Sequence, residues 1–203
     1  MTTRVQLSVA LILIGLLLAL LPLRETRSLT GNPGVVLSGS LGTESVYNAD
    51  QIARMLVSDD TTLRIIDIRP EEEYRKFSIP GAINVPFTDM AGIDPATYLA
   101  KGNIKNVFYS NGSLNAGYAL VLARGFGYDN CAIMAGGMNE WIRTVMNTRF
   151  GGGAISAREN ALFETRTKAI ALFSEFNSMP DSLKTKYLES KRFDPKKLDG
   201  GCN

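Results

Sequence analysis

The stretch from Leu63 to Phe87, L-R-I-I-D-I-R-P-E-E-E-Y-R-K-F-S-I-P-G-A-I-N-V-P-F, constrains the fold more than any other part of the chain. Ile65, Ile66 and Ile68 make an apolar, β-branched run of the kind that fills a buried strand. Pro70 cannot extend a ladder but suits the first turn of a helix, so Asp67-Ile68-Arg69 reads as a strand exit and Glu71–Phe77 as a short helix. Glu71, Glu72 and Glu73 then sit at the positive end of that helix. Ile79-Pro80-Gly81-Ala82 turns the chain, and Ala82–Val85 reads as a second short strand.

In order and identity these residues resemble the rhodanese-like domain family. Its pattern D-x-R-x-x-x-E-Y, a spacer and I-P-G-A-x-N-x-P is met by Asp67, Arg69, Glu73, Tyr74 and the run Ile79 to Pro86. The strand Asn106–Tyr109 with its following loop, and Gly136-Gly137-Met138-Asn139-Glu140-Trp141, fit the same family. The resemblance spans Glu44 to Asn147 and implies a three-layer α/β/α sandwich around a mostly parallel five-stranded sheet. It also implies a chemistry, because active members carry sulfane sulfur on one cysteine. That cysteine opens the loop after the Asn106–Tyr109 strand, where backbone N–H groups and the next helix's N-terminus lower its pKa.

Here the loop reads Ser110-Asn111-Gly112-Ser113-Leu114-Asn115. Matched residue by residue, Ser110 takes the nucleophile's position and Asn115 that of the arginine that usually closes the loop. A hydroxyl cannot hold sulfur as a persulfide, and the chain has no histidine to serve as its base. Phosphatase or arsenate-reductase chemistry is disfavoured by the same loss of thiolate and bidentate arginine. Ser78 stands where many relatives place a histidine. The remaining motif residues match structural roles: Asp67 and Arg69 as a buried ion pair that fixes the loop, Pro80 and Gly81 as a turn, Gly136 and Gly137 as a strand-to-helix turn, and Trp141 as core.

Net charge of +2 argues for no nucleic-acid partner, and two cysteines without histidine argue against a metal site; no cofactor is expected. Val5 to Leu23 contains no charged residue and spans roughly 29 Å as a helix. It is expected to anchor the protein in a lipid bilayer as a single-pass segment, with a cleaved secretory signal as the alternative. Because such an anchor commonly exports the domain behind it, the soluble part is expected on the non-cytoplasmic, periplasmic or luminal side. The expected organisation is an anchor over 1–27, a linker over 28–43, the rhodanese-like domain over 44–147 and a helical extension with a tail over 148–203.

Within the domain, Asn48-Ala49-Asp50 opens a helix through Val57, Asp94–Lys101 is a short helix or loop, and Gly117–Arg124 is a helix. Asn130–Met134 is a strand, followed after Gly136-Gly137 by a helix carrying Trp141 and Val145. In the extension, Ser156–Asn177 has the apolar spacing of an amphipathic helix, which either pads the domain's flank or docks on a partner. Cys131 lies in an apolar stretch and reads as a buried thiol, whereas Cys202 follows Gly200-Gly201 and is either idle or a displaced reactive thiol.

Two functions are compatible with this reading. The first is a catalytically inactive accessory or scaffolding subunit of a membrane complex, partnered by integral membrane proteins. The alternative is a sulfur carrier or sulfurtransferase that uses Cys202 in place of the missing loop cysteine.

Overall fold

The computed structural model describes residues 3–19, 45–149 and 156–191. Five strands form a single parallel sheet: β1 (Val46–Tyr47), β2 (Leu63–Asp67), β3 (Ile83–Asn84), β4 (Lys105–Tyr109) and β5 (Cys131–Met134), in the spatial order β1-β5-β4-β2-β3. Every pairing is parallel, with Ile66 opposite Phe108 and Val107 opposite Ala132. Parallel neighbours need crossovers, and helices supply them.

Alternation along the strands builds two cores, one on each face of the sheet. Ile65, Val107, Tyr109, Ala132 and Met134 enter the first, while Ile66, Phe108 and Cys131 enter the second. Helix α2 (Ala49–Val57), short α3 (Glu71–Lys76), α4 (Pro95–Tyr98) and α5 (Ser113–Gly125) connect successive strands, and α6 (Gly137–Trp141) follows β5. Residues of α4 and α5 cover the second core, and those of α2 and α6 the first. Asn48 caps α2 reciprocally with Gln51.

Some elements differ from expectation. Strand β1 escapes sequence reading because two residues carry no period. Helix α5 begins four residues before Gly117; Ala116, Ala119, Leu120 and Ala123 bury its face and outweigh the roughly 1 kcal/mol that a helical glycine costs. The helix carrying Trp141 passes into a π-helical turn over Ile142–Met146.

The C-terminal extension belongs to the domain's packing. Ser156 and Glu159 cap α7 (Ala157–Ser178), whose Ala169 and Phe173 enter the first core. The Phe173 ring lies 6.3 Å from that of Trp141 and 6.4 Å from that of Phe77. Arg166 grips Asp50 of α2 through two 2.7 Å bonds, and the N-terminal end of α2 is thereby tied to α7. Met179-Pro180 breaks the helix, since a residue before proline is pushed out of the helical region. After it, α8 (Asp181–Lys191) returns Tyr187 to within 5.3 Å of the Phe176 ring.

The expected bilayer span over Val5 to Leu23 is corrected. The helix found there, α1 (Thr3–Ala19), has 17 residues, or about 26 Å against a hydrocarbon core of about 30 Å. Among the described residues no helix is long and apolar enough to cross a membrane. The single-pass anchor falls with it, and so does the assignment of the domain to a periplasmic or luminal side. Residues 20–23 lie outside the described ones.

Candidate functional site

The site is built at the C-terminal ends of β2 and β4. Where β2 ends, Asp67 receives the Arg69 N–H at 2.9 Å on Oδ1, the Arg69 Nη2 at 2.6 Å on Oδ2, and the Tyr109 hydroxyl at 2.6 Å on Oδ2. The two charged side chains are 0% and 1% exposed, so each carries a desolvation cost that the opposite charge and the surrounding hydrogen bonds together offset. Arg69 Nη2 also donates to the Phe77 carbonyl at 2.8 Å, and the Ile79 N–H donates to the Tyr109 hydroxyl at 3.2 Å. Burial, reinforced by the Asp67 charge, holds the Tyr109 phenol well above its ordinary pKa, so it remains a hydrogen-bond donor. One network thus ties the end of β4 to the turn after α3.

Ser110 follows directly on β4 and is 6% exposed. Its carbonyl accepts the Met138 N–H at 2.8 Å, and the Asn111 carbonyl accepts the Asn139 N–H at 3.1 Å. These bonds turn the loop's carbonyls toward α6. They require Gly137, which has φ +57°, because a Cβ there would stand 2.2 Å from the Ser110 carbonyl oxygen. The Gly136 N–H donates to Ser113 Oγ at 2.7 Å. Gly112 is the N-cap of α5 and offers no side-chain bond to the helix's first-turn amides. Asn111 Nδ2 donates to Glu73 Oε2 at 2.6 Å, and Leu114 is 69% exposed beside it.

The rhodanese-like domain family matches residues 48–144. A human protein named thiosulfate:glutathione sulfurtransferase is 30% identical over 90 residues, covering 39% of this chain and 78% of that relative. This chain belongs to the rhodanese-like domain family. A Saccharomyces cerevisiae protein with the same name is 27% identical over 106 residues, covering 47% of this chain and 76% of that relative. Among solved structures, a human single-domain sulfurtransferase matches with a TM-score of 0.44 and 24% identity, over 49% of this chain and 96% of that one.

The expectation that the chain is not an enzyme is corrected by these comparisons. The matching relatives are named sulfurtransferases, which is an enzyme family, and the claim of no enzyme has no support in them.

Within the rhodanese-like domain, the motif residues are brought together as one support for the loop. Tyr74 donates its hydroxyl to the Ala82 carbonyl at 2.9 Å, which fastens α3 to the turn at Pro80 and Gly81. Gly81 itself has φ +79°. Trp141 is buried in the first core, and its Nε1 has no hydrogen-bond partner among the described residues. Cys131 lies in the second core, where burial pushes its thiol up to about 12. Cys202 lies outside the described residues.

Two supporting residues escaped the sequence reading. Asn84 Nδ2 bridges the Asp67 and Arg69 carbonyls at 3.0 Å each; the family pattern carries this asparagine, and that was the available signal. Asn177 of α7 pairs with Ser78, accepting its N–H and donating to its carbonyl, both at 2.9 Å. No local pattern marks that residue.

Proposed function

We propose that this protein is a sulfurtransferase whose sulfur-carrying thiol is Cys202, with the Ser110–Asn115 loop receiving the sulfur donor. The observation that carries this reading is the state of the other candidate groups. Ser110 occupies the nucleophile's position with a hydroxyl, and Cys131 is enclosed in the core with its pKa pushed up to about 12. A thiol that stays protonated and inaccessible is neither nucleophile nor sulfur carrier. The relatives' names favour sulfur transfer over a scaffolding role.

The chemistry balances without an external oxidant. The Cys202 thiolate attacks the outer sulfur of a thiosulfonate-type donor, the sulfur–sulfur bond breaks, and the sulfinate or sulfite leaves with the electron pair. An acceptor thiolate then takes the outer sulfur from the Cys202 persulfide and restores the Cys202 thiolate. The loop's part is to hold the donor anion with the first-turn amides of α5.

Persulfide-selective labelling with mass spectrometry after exposure to donor tests this. The expected result is one added sulfur on Cys202, none in Cys202→Ser, and no change in Cys131→Ser. Sulfur on Cys131, or none on Cys202, overturns the assignment.

A further inference from the structure

We infer that Glu73 sets the charge of the sulfur donor, so that the loop selects monoanionic donors over dianions such as thiosulfate. The inference rests on the reading of Ser110–Asn115 as the donor's receptor and adds the substrate class.

The charges around the loop are few. None of the six residues from Ser110 to Asn115 is charged. Beside them Glu73, 39% exposed, accepts the Asn111 amide at 2.6 Å, which brings its carboxylate to the residue next to Ser110. Arg69 Nη1 lies 4.0 Å from the same carboxylate oxygen, but its guanidinium is bonded to Asp67 by both Nε and Nη2. Two carboxylates therefore stand against one cation, a net charge of minus one. Tyr109 adds none, since its hydroxyl donates to Asp67.

Ser110 points independently to a ligand. The residue is 6% exposed, yet no hydrogen-bond partner meets its Oγ among the described residues. That oxygen is not sealed in, because the fully enclosed polar side-chain atom lacking a partner is Trp141 Nε1. A polar side chain so buried, in the loop that leads into the uncapped first turn of α5, is completed by a group from solution. The helix end offers about half a positive charge. A single negative charge is accommodated there, whereas a second is repelled by Glu73 with little to offset it. In a partly exposed setting this amounts to about a tenfold difference in affinity.

The test uses full-length Cys202→Ser protein, so that donors bind without reacting. Thiosulfate and the methanethiosulfonate anion, which share the sulfonyl–sulfur group and differ by one charge, are titrated while the Gly112, Ser113 and Leu114 amide resonances are followed. The monoanion is expected to bind about tenfold more tightly. Glu73→Gln, which keeps an acceptor for Asn111, brings the two within about twofold, and Glu72→Gln, an equal change of charge on the exposed side of α3, leaves the preference intact. Equal binding in the parent protein, a preference that survives Glu73→Gln, or no response of these amides to either anion overturns the inference. Failure of Cys202 to take up sulfur while the charge preference holds would instead remove the relay and leave this inference standing.

Discussion

Beneath the loop, Asp67, Arg69 and Tyr109 form a closed network of side chains. The Ser110–Asn115 loop above them takes its shape from the main chain, through the Ser110 and Asn111 carbonyls bound to Met138 and Asn139. Its side-chain ties are the contacts of Asn111 with Glu73 and of Ser113 with the Gly136 N–H. The difference teaches which positions are exchangeable. A buried charge cannot change without stranding its partner, whereas a loop held by carbonyls and glycines accepts a different nucleophile without a different fold. Serine at position 110 is compatible with an otherwise complete rhodanese-like framework for that reason.

Breaking the floor is expected to have the largest effect. Asp67→Ala leaves Arg69 buried without its counter-ion and should cost about 3–5 kcal/mol in urea denaturation. Gly137→Ala attacks the junction between floor and loop, since its Cβ would meet backbone rather than a movable side chain. A loss of about 3 kcal/mol is expected, with shifts of the Met138 and Asn139 amides.

Alkaline pH probes the cores on which the floor rests. Cys131 is raised from 9.0 to about 12 in the fold, and Tyr109 is raised well above its usual value. Both groups ionise more readily in the unfolded chain, so their contribution is complete below about pH 9 and is lost as pH rises toward 12. For Cys131 alone the loss at about pH 10.5 is about 2 kcal/mol, and Cys131→Ala should remove that part of the slope.

Asn177→Ala unpairs both backbone groups of Ser78 at the edge of the floor and should cost about 1–2 kcal/mol. The smallest change sharpens the contrast: Ser110→Ala should stay within about 0.5 kcal/mol of the parent, because among the described residues its Oγ has no partner to lose. A loss as large as that of Asp67→Ala would show that the loop is held by its side chains after all.

The framework was legible in the sequence where local chemistry decides it. The Ile65-Ile66 run, the proline after the strand exit and the paired glycines at 136 and 137 each announce an element or a turn. The loop's identity was legible too, through the order of those elements. The bilayer span is not supported, because apolar composition alone does not supply the helix length a bilayer needs, and among the described residues no helix is long and apolar enough to cross one. A local reading of Gly117 starts α5 too late, because it does not include the second core that the helix packs against.

By itself the sequence determined the order of the strands and helices from α2 onward, the absence of a thiol at position 110 and the motif residues of the loop's support. These follow from dihedral preference, side-chain period and residue identity, all of which act over a few positions. Tertiary structure decided the rest. It placed Asn177 on Ser78 across 99 positions, brought Phe173 against Trp141, shut Cys131 in the core and set Glu73 beside Asn111. Those outcomes depend on which surfaces meet when the sheet is covered on both faces, and a contact between distant segments leaves no period in the sequence of either.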